Sequence, residues 1–199
     1  MVAVSRTEKE LVVLAKYGEV IPFVCDLTDA SGRKKLADFC RQKQIQVQVL
    51  VNNAGAYLPD DVITHPSSLQ QNLDINLIQV RDLTAMFWTE MKNDDEGYVF
   101  NIVSVLGKNI RREAASYTMA KHALSAYNQL LFAEGRKCGI KVTGIFPSSV
   151  YTSSWDGSGV DPAQLIASSD IAKIVLSCLS LSTAAVPDEI HIKCMNENF

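Results

Sequence analysis

Three consecutive stretches decide the fold: YVFNIVS (98–104), AASYTMAKHALSAYNQLLFAE (114–134) and IKVTGIF (140–146). The outer two are short continuous apolar runs rich in β-branched residues, and the middle one is long enough and suitably spaced for a helix. A strand that is apolar on both faces belongs inside a parallel sheet, and parallel neighbours need a helix to carry the chain back between them. Working outward, the same alternation repeats. An apolar start at 1–4 leads into a helical pattern, EKELVVLAKYG (8–18), stopped by Gly18. A strand is read at 20–25, where Pro22 removes a backbone donor and so demands a sheet edge. Then come an amphipathic helix at 29–44, with Leu36, Phe39 and Cys40 inward and its lysines and arginines outward, and a strand at 47–51. A long helix at 67–92, a turn at 93–97, a helix at 169–181 and a last strand at 189–194 complete the pattern. The expectation is an α/β fold, a parallel sheet covered by helices on two sides, with residues 1–199 as one domain.

Composition narrows the function classes. With 47% hydrophobic and 21% charged residues and a net charge of −3, nothing draws the chain electrostatically to nucleic acid or to an anionic membrane. Five cysteines (25, 40, 138, 178 and 194) are scattered without a C-x-x-C or a histidine cluster. That pattern suits reduced thiols in the cytoplasm and gives no metal site. No apolar run is long enough to span a bilayer, and no signal-peptide core is present.

The chemistry concentrates between Ser104 and Lys121. Tyr117 and Lys121 are four apart, which on a helix puts both side chains on one face. A phenol with a pKa of about 10 is a poor acid or base at neutral pH, and a neighbouring ammonium favours its ionised form. Ser104 ends the preceding strand, from where its hydroxyl can meet the helix face across a loop. The three groups could then surround one carbonyl oxygen. A tyrosine with lysine four residues on is also a common accident, although one tyrosine of the six has it here.

Asn52-Asn53-Ala54-Gly55 after a strand, followed in order by Ser104, Tyr117 and Lys121, resembles the short-chain dehydrogenase/reductase family over essentially the whole chain. The resemblance implies a Rossmann-like, doubly wound parallel sheet and a carbonyl–alcohol oxidoreductase. It implies Tyr117 as acid/base, Lys121 lowering the phenol's pKa and holding the nicotinamide ribose, and Ser104 positioning the substrate carbonyl. Asn76 matches the asparagine that holds a relay water beside the lysine. Asp26 and Leu27 match the pair lining the adenine, and Asn53, Ala54 and Gly55 the turn beneath the adenosine ribose. Pro147, Val150 and Thr152 fall on the nicotinamide side, where Ser148 stands in place of a usual glycine. A serine there is strained if the position needs a positive φ. Tyr57, Leu58, Leu106, residues 148–151 and Trp155 are read as lining substrate space, Trp155 equally as plain packing, with residues 153–161 as part of a flap.

Cofactor choice is read at Ser5-Arg6-Thr7, after the strand where a carboxylate would grip the ribose 2′-hydroxyl of NAD. An arginine fork flanked by hydroxyls suits the phosphate of NADP(H) better, leaving NAD(H) the lesser expectation. The implied partners are a small carbonyl or alcohol substrate and further copies of the chain. A homodimer or homotetramer would use Leu83, Met86, Phe87 and Trp88 with Leu124, Tyr127, Leu131 and Phe132. One departure stands out. Family members open with a strand, a turn of the T-G-x-x-x-G-x-G kind and a helix, and this sequence begins in what matches the second strand. Unpaired strand edges are therefore expected between the strand at Val2 and the one at Val49. The alternative function is a cofactor-deficient relic or fragment serving as a binding or scaffold protein.

Overall fold

Each apolar run of the central region forms a strand because both of its faces find helices to bury against. The computed structural model describes residues 1–14, 16, 18–63, 66–94 and 96–195. Residues 15 and 17 of the first helical pattern and residue 95 of the turn at 93–97 lie outside the described residues. Among the described residues all strand pairs are parallel. β1 (Val2–Ser5) pairs with β2 (Ile21–Val24). A second sheet runs in the order β3 (Val49–Asn52), β4 (Gly97–Ile102), β5 (Ile140–Pro147) and β6 (Glu189–Ile192). Its register sets Val49 opposite Tyr98, Gly97 opposite Ile140 and Gly144 opposite Glu189. Pro22 does lie in an edge strand.

The helices are α1 (Glu8–Leu14), α2 (Ala30–Gln42), α3 (Pro66–Leu73), α4 (Gln79–Asn93), α5 (Ala115–Gly135) and α6 (Ser168–Leu179). Asp29 caps α2 by accepting a hydrogen bond from Ser31 N. On one side of the sheet α2, α4 and α5 bring Leu36, Cys40, Leu83, Phe87, Met91 and Leu131 onto Leu50, Val99 and Val142. On the other side, Cys178 of α6 packs with Tyr98, Phe100 and Ile145. The two-sided cover is as the alternation predicts, and the α/β architecture is Rossmann-like, as the resemblance implies.

The sheet is interrupted where the resemblance puts unpaired edges. Among the described residues β1 pairs only with β2, and β3 only with β4. Within β3, Leu50 is 9% exposed on the covered face, whereas Val49 and Val51 are 41% and 43% exposed on the other.

Several boundaries differ from the sequence reading, each for a local reason. The long helix is broken by a π-helical turn, Asp74–Ile78, between α3 and α4. Such one-turn bulges accumulate at functional sites, and this one contains Asn76. α5 stops at Gly135, and Gly139, with φ 73°, turns the chain into β5. Arg33, read as outward, is buried. Of the apolar residues assigned to a subunit interface, Leu83, Phe87, Leu124 and Leu131 lie in the core, and Met86, Trp88, Tyr127 and Phe132 pack partly against it.

Candidate active site

Ser104 stands just past β4, where it opens a 3-10 turn, Val105–Gly107, and its Oγ accepts a hydrogen bond from Leu106 N at 3.1 Å. The turn lies directly on α5. A Cβ at Gly107 would sit 2.8 Å from Val103 Cγ1 and 3.0 Å from the Lys121 carbonyl oxygen, so only glycine allows this approach. The Ser104 hydroxyl thereby comes close enough to the Tyr117 phenol to favour its ionised form. Lys121 Nζ lies 5.6 Å from the Tyr117 ring centroid and donates to the Ile102 carbonyl at 3.1 Å. Tyr57 meets the Tyr117 ring edge to face, with centroids 5.1 Å apart.

Electrostatically the pair does not behave as the spacing alone suggests. Burial pushes the Tyr117 phenol up to about 12, against the opposing effect of the Ser104 hydroxyl. Burial likewise brings Lys121 down to about 7. Both groups are driven towards their neutral forms. The expected lowering of the phenol by the ammonium is not what this fold has, because loss of hydration dominates at both groups.

Asn76 is wholly buried and holds one residue of the loop beyond β3 by its backbone N–H and C=O. Its Oδ1 accepts from Ala56 N at 3.2 Å, and its Nδ2 donates to Ala56 O at 3.0 Å. Gly55 sits under this clamp. A Cβ there would be 3.0 Å from Asn76 Oδ1 and 3.7 Å from Lys121 Nζ. Gln79 Nε2 adds hydrogen bonds to the Ala54 carbonyl, at 2.9 Å, and to that of Ile75.

Next to this loop is a cavity of about 340 Å³. It brings together six of the residues singled out in the sequence: Ser5, Arg6, Asp26, Leu27, Ala54 and Gly55. Asp26 accepts two hydrogen bonds from Thr28, which hold its carboxyl below the usual range. Asn53 lines a smaller neighbouring hollow with Leu27 and Gln79. Pro147, Val150 and Thr152 do not line the cavity. Pro147 pairs with Ile192, Val150 bridges to Ile166, and Thr152 Oγ1 shares a hydrogen bond with Ser154 Oγ. Ser148 is unstrained, since Gln44 is the sole non-glycine with positive φ among the described residues. The flap at 153–161 contains a 3-10 turn, Ser153–Trp155, and two glycines with positive φ, Gly157 and Gly159. Sequence reading missed Arg33, Asp60 and Gln79, which carry no periodic signal and act through partners distant in the chain.

The model of the short chain dehydrogenase family matches residues 1–161. The chain belongs to the short-chain dehydrogenase family. An uncharacterised oxidoreductase of Saccharomyces cerevisiae is 25% identical over 189 residues, covering 91% of this chain and 60% of its own length. The chain thus spans less than two thirds of that relative's length. Two solved structures share the fold at lower identity. A 4-hydroxyisoleucine dehydrogenase mutant complexed with NADH and succinate has a TM-score of 0.88 at 19% identity, covering 97% of this chain and 86% of that one. ElxO with NADP bound has a TM-score of 0.84 at 20% identity, covering 96% and 86%. In this short-chain dehydrogenase fold the cavity and the Ser104–Tyr117 contact lie at the C-terminal ends of the strands, where ligands bind open parallel sheets.

Proposed function

We propose that the chain is an NADP(H)-dependent oxidoreductase that interconverts a carbonyl and an alcohol, with Tyr117 as the acid/base. The observation that carries this reading is the Ser104 hydroxyl beside the Tyr117 phenol, with Lys121 on the same helix face one turn away. The residues fit a dinucleotide on two counts. Gly55 leaves a space beside Asn76 and Lys121 that a Cβ would fill, and the adjoining cavity joins Arg6 and Ser5 to Asp26 and Leu27.

Arg6 and Ser5 hold the ribose phosphate, Asp26 and Leu27 flank the adenine, and Asn53, Ala54 and Gly55 support the adenosine ribose. Lys121 holds the nicotinamide ribose, beside Asn76. Pro147, Val150 and Thr152 serve the nicotinamide end. NADP(H), when bound, supplies or accepts a hydride. Ser104 fixes the substrate oxygen by a hydrogen bond. Tyr117, protonated at neutral pH, hands its proton to that oxygen as it gains negative charge. A protonated phenol favours reduction near neutrality, whereas alcohol oxidation needs the phenolate.

The test is NADPH consumption against a panel of carbonyl compounds. Tyr117→Phe should abolish reduction while leaving NADPH binding nearly intact. Tighter binding of NADH than NADPH would overturn the cofactor assignment. A second reading, a non-catalytic binding protein, draws on the interrupted sheet beside the cavity. Folded protein that binds neither nucleotide would favour it.

All five cysteines are free, which supports a reducing compartment, the cytoplasm. Among the described residues no helix is long and apolar enough to cross a membrane. A homodimer or homotetramer is the proposed assembly, and Leu130 on α5, 69% exposed, offers it a contact. The mass in solution with and without Leu130→Glu tests this.

A further inference from the structure

The helix that carries Tyr117 lacks a cap of its own. Ala114 stands at the N-cap of α5 and gives no side-chain acceptor. The acceptor comes instead from Asp60, in the loop between β3 and α3. Asp60 Oδ1 accepts from Ser116 N at 2.9 Å. The Asp60 carbonyl accepts from Ala115 N at 3.3 Å, and Asp60 N donates to Glu113 O at 3.2 Å. The same short segment reaches the phenol ring itself, through the edge-to-face contact of Tyr57 with Tyr117. Residues 57–60 thus grip the backbone before Tyr117 and the ring of Tyr117 together. The other oxygen, Asp60 Oδ2, and the Ser116 Oγ are both buried with no hydrogen-bond partner. The bond from Ser116 N is accordingly the one hydrogen bond that this carboxyl group makes among the described residues.

We propose that Asp60 is a positioning residue for Tyr117, capping the first turn of α5 from outside the helix and so fixing the phenol against Ser104. The inference rests on the reading of Tyr117 as acid/base. Its physical content is that a helix's first amide groups need acceptors and that the first turn frays without them. A phenol in a frayed first turn spends less time within reach of Ser104.

Two variants separate the acceptor from the charge. Asp60→Asn keeps an oxygen for Ser116 N, and Asp60→Ala removes it. The first readout is independent of activity: carbon NMR of ring-labelled tyrosine, with Tyr117 identified as the signal missing from Tyr117→Phe. The Tyr117 signal and its titration should be unchanged in Asp60→Asn. In Asp60→Ala they should move towards those of free tyrosine, with the thermal unfolding transition still cooperative. The second readout is NADPH-dependent reduction. Here kcat should fall about tenfold or more in Asp60→Ala, with KM for NADPH within about twofold, and recover to within about threefold of the parent in Asp60→Asn. An unmoved Tyr117 signal in Asp60→Ala overturns the proposal, as does equal impairment of the two variants. If the parent chain reduces no carbonyl, the catalytic reading fails alone, because the NMR comparison still decides whether Asp60 holds Tyr117.

Discussion

Lys121 Nζ donates its hydrogen bond to the Ile102 carbonyl, 3.1 Å away at the end of β4, rather than to the phenol that shares its helix face. The amine is thereby tied to the sheet in an environment that disfavours its charge, and its pKa falls to about 7.

This has a consequence for stability. Folded Lys121 releases its proton near pH 7, whereas the unfolded lysine does so only at about 10.4. Between these values the unfolded chain binds more protons, so the free energy of unfolding should rise with pH, by a few kcal/mol in all. Above about pH 10 the trend should reverse, since Tyr117 keeps its proton up to about 12 in the fold while unfolded tyrosine ionises. Urea unfolding at a series of pH values checks both limbs. Lys121→Met should flatten the rising limb, and an unchanged slope in that variant would refute the assignment.

The Ser104 hydroxyl opposes the upward pressure on the phenol. Ser104→Ala should therefore raise the Tyr117 pKa further and slow carbonyl reduction by about a hundredfold, the scale of losing one oriented donor. Tyrosine titration and kcat, measured on the same sample, would report the two effects together. A lowered Tyr117 pKa would contradict the account.

At Gly55, an added methyl would meet Asn76 Oδ1 at 3.0 Å, and Asn76 is pinned at both ends of its amide by Ala56. Gly55→Ala should cost about 1–3 kcal/mol, the range for overpacking a tight site. NADPH binding should weaken with it. Chemical denaturation and a nucleotide titration measure the two losses, and a variant as stable as the parent would show that the clamp yields freely.

Arg33 is buried and donates to Leu27 O at 2.6 Å, to Thr28 O at 3.0 Å and to Asp82 Oδ2 at 2.7 Å. It therefore joins α2, α4 and the loop that carries Asp26 and Leu27. Arg33→Ala leaves two carbonyls and Asp82 Oδ2 without this donor, although Arg81 still pairs with Asp82 Oδ1, and should destabilise the fold by about 2–4 kcal/mol. Asp82→Asn retains an acceptor oxygen and should cost less, on the order of 1 kcal/mol. Urea midpoints of the two variants test the ranking, and the reverse order would count against it.

The strands at 98–102 and 140–146, the helix joining them and the shared face of Tyr117 and Lys121 were all legible in the chain, because each rests on spacing within a few residues. Apolar runs and four-residue intervals are local patterns, and burial against whatever lies nearby is enough to realise them. The partners of the polar groups were not legible. Arg33 and Asp82 are 49 residues apart, and Ser116 and Asp60 are 56 apart. A polar atom is satisfied by one particular neighbour, and no periodicity announces which. The direction of the Tyr117 and Lys121 titrations was hidden for a related reason: four-residue spacing brings an amine near a phenol, but only the packed fold determines how much water each retains.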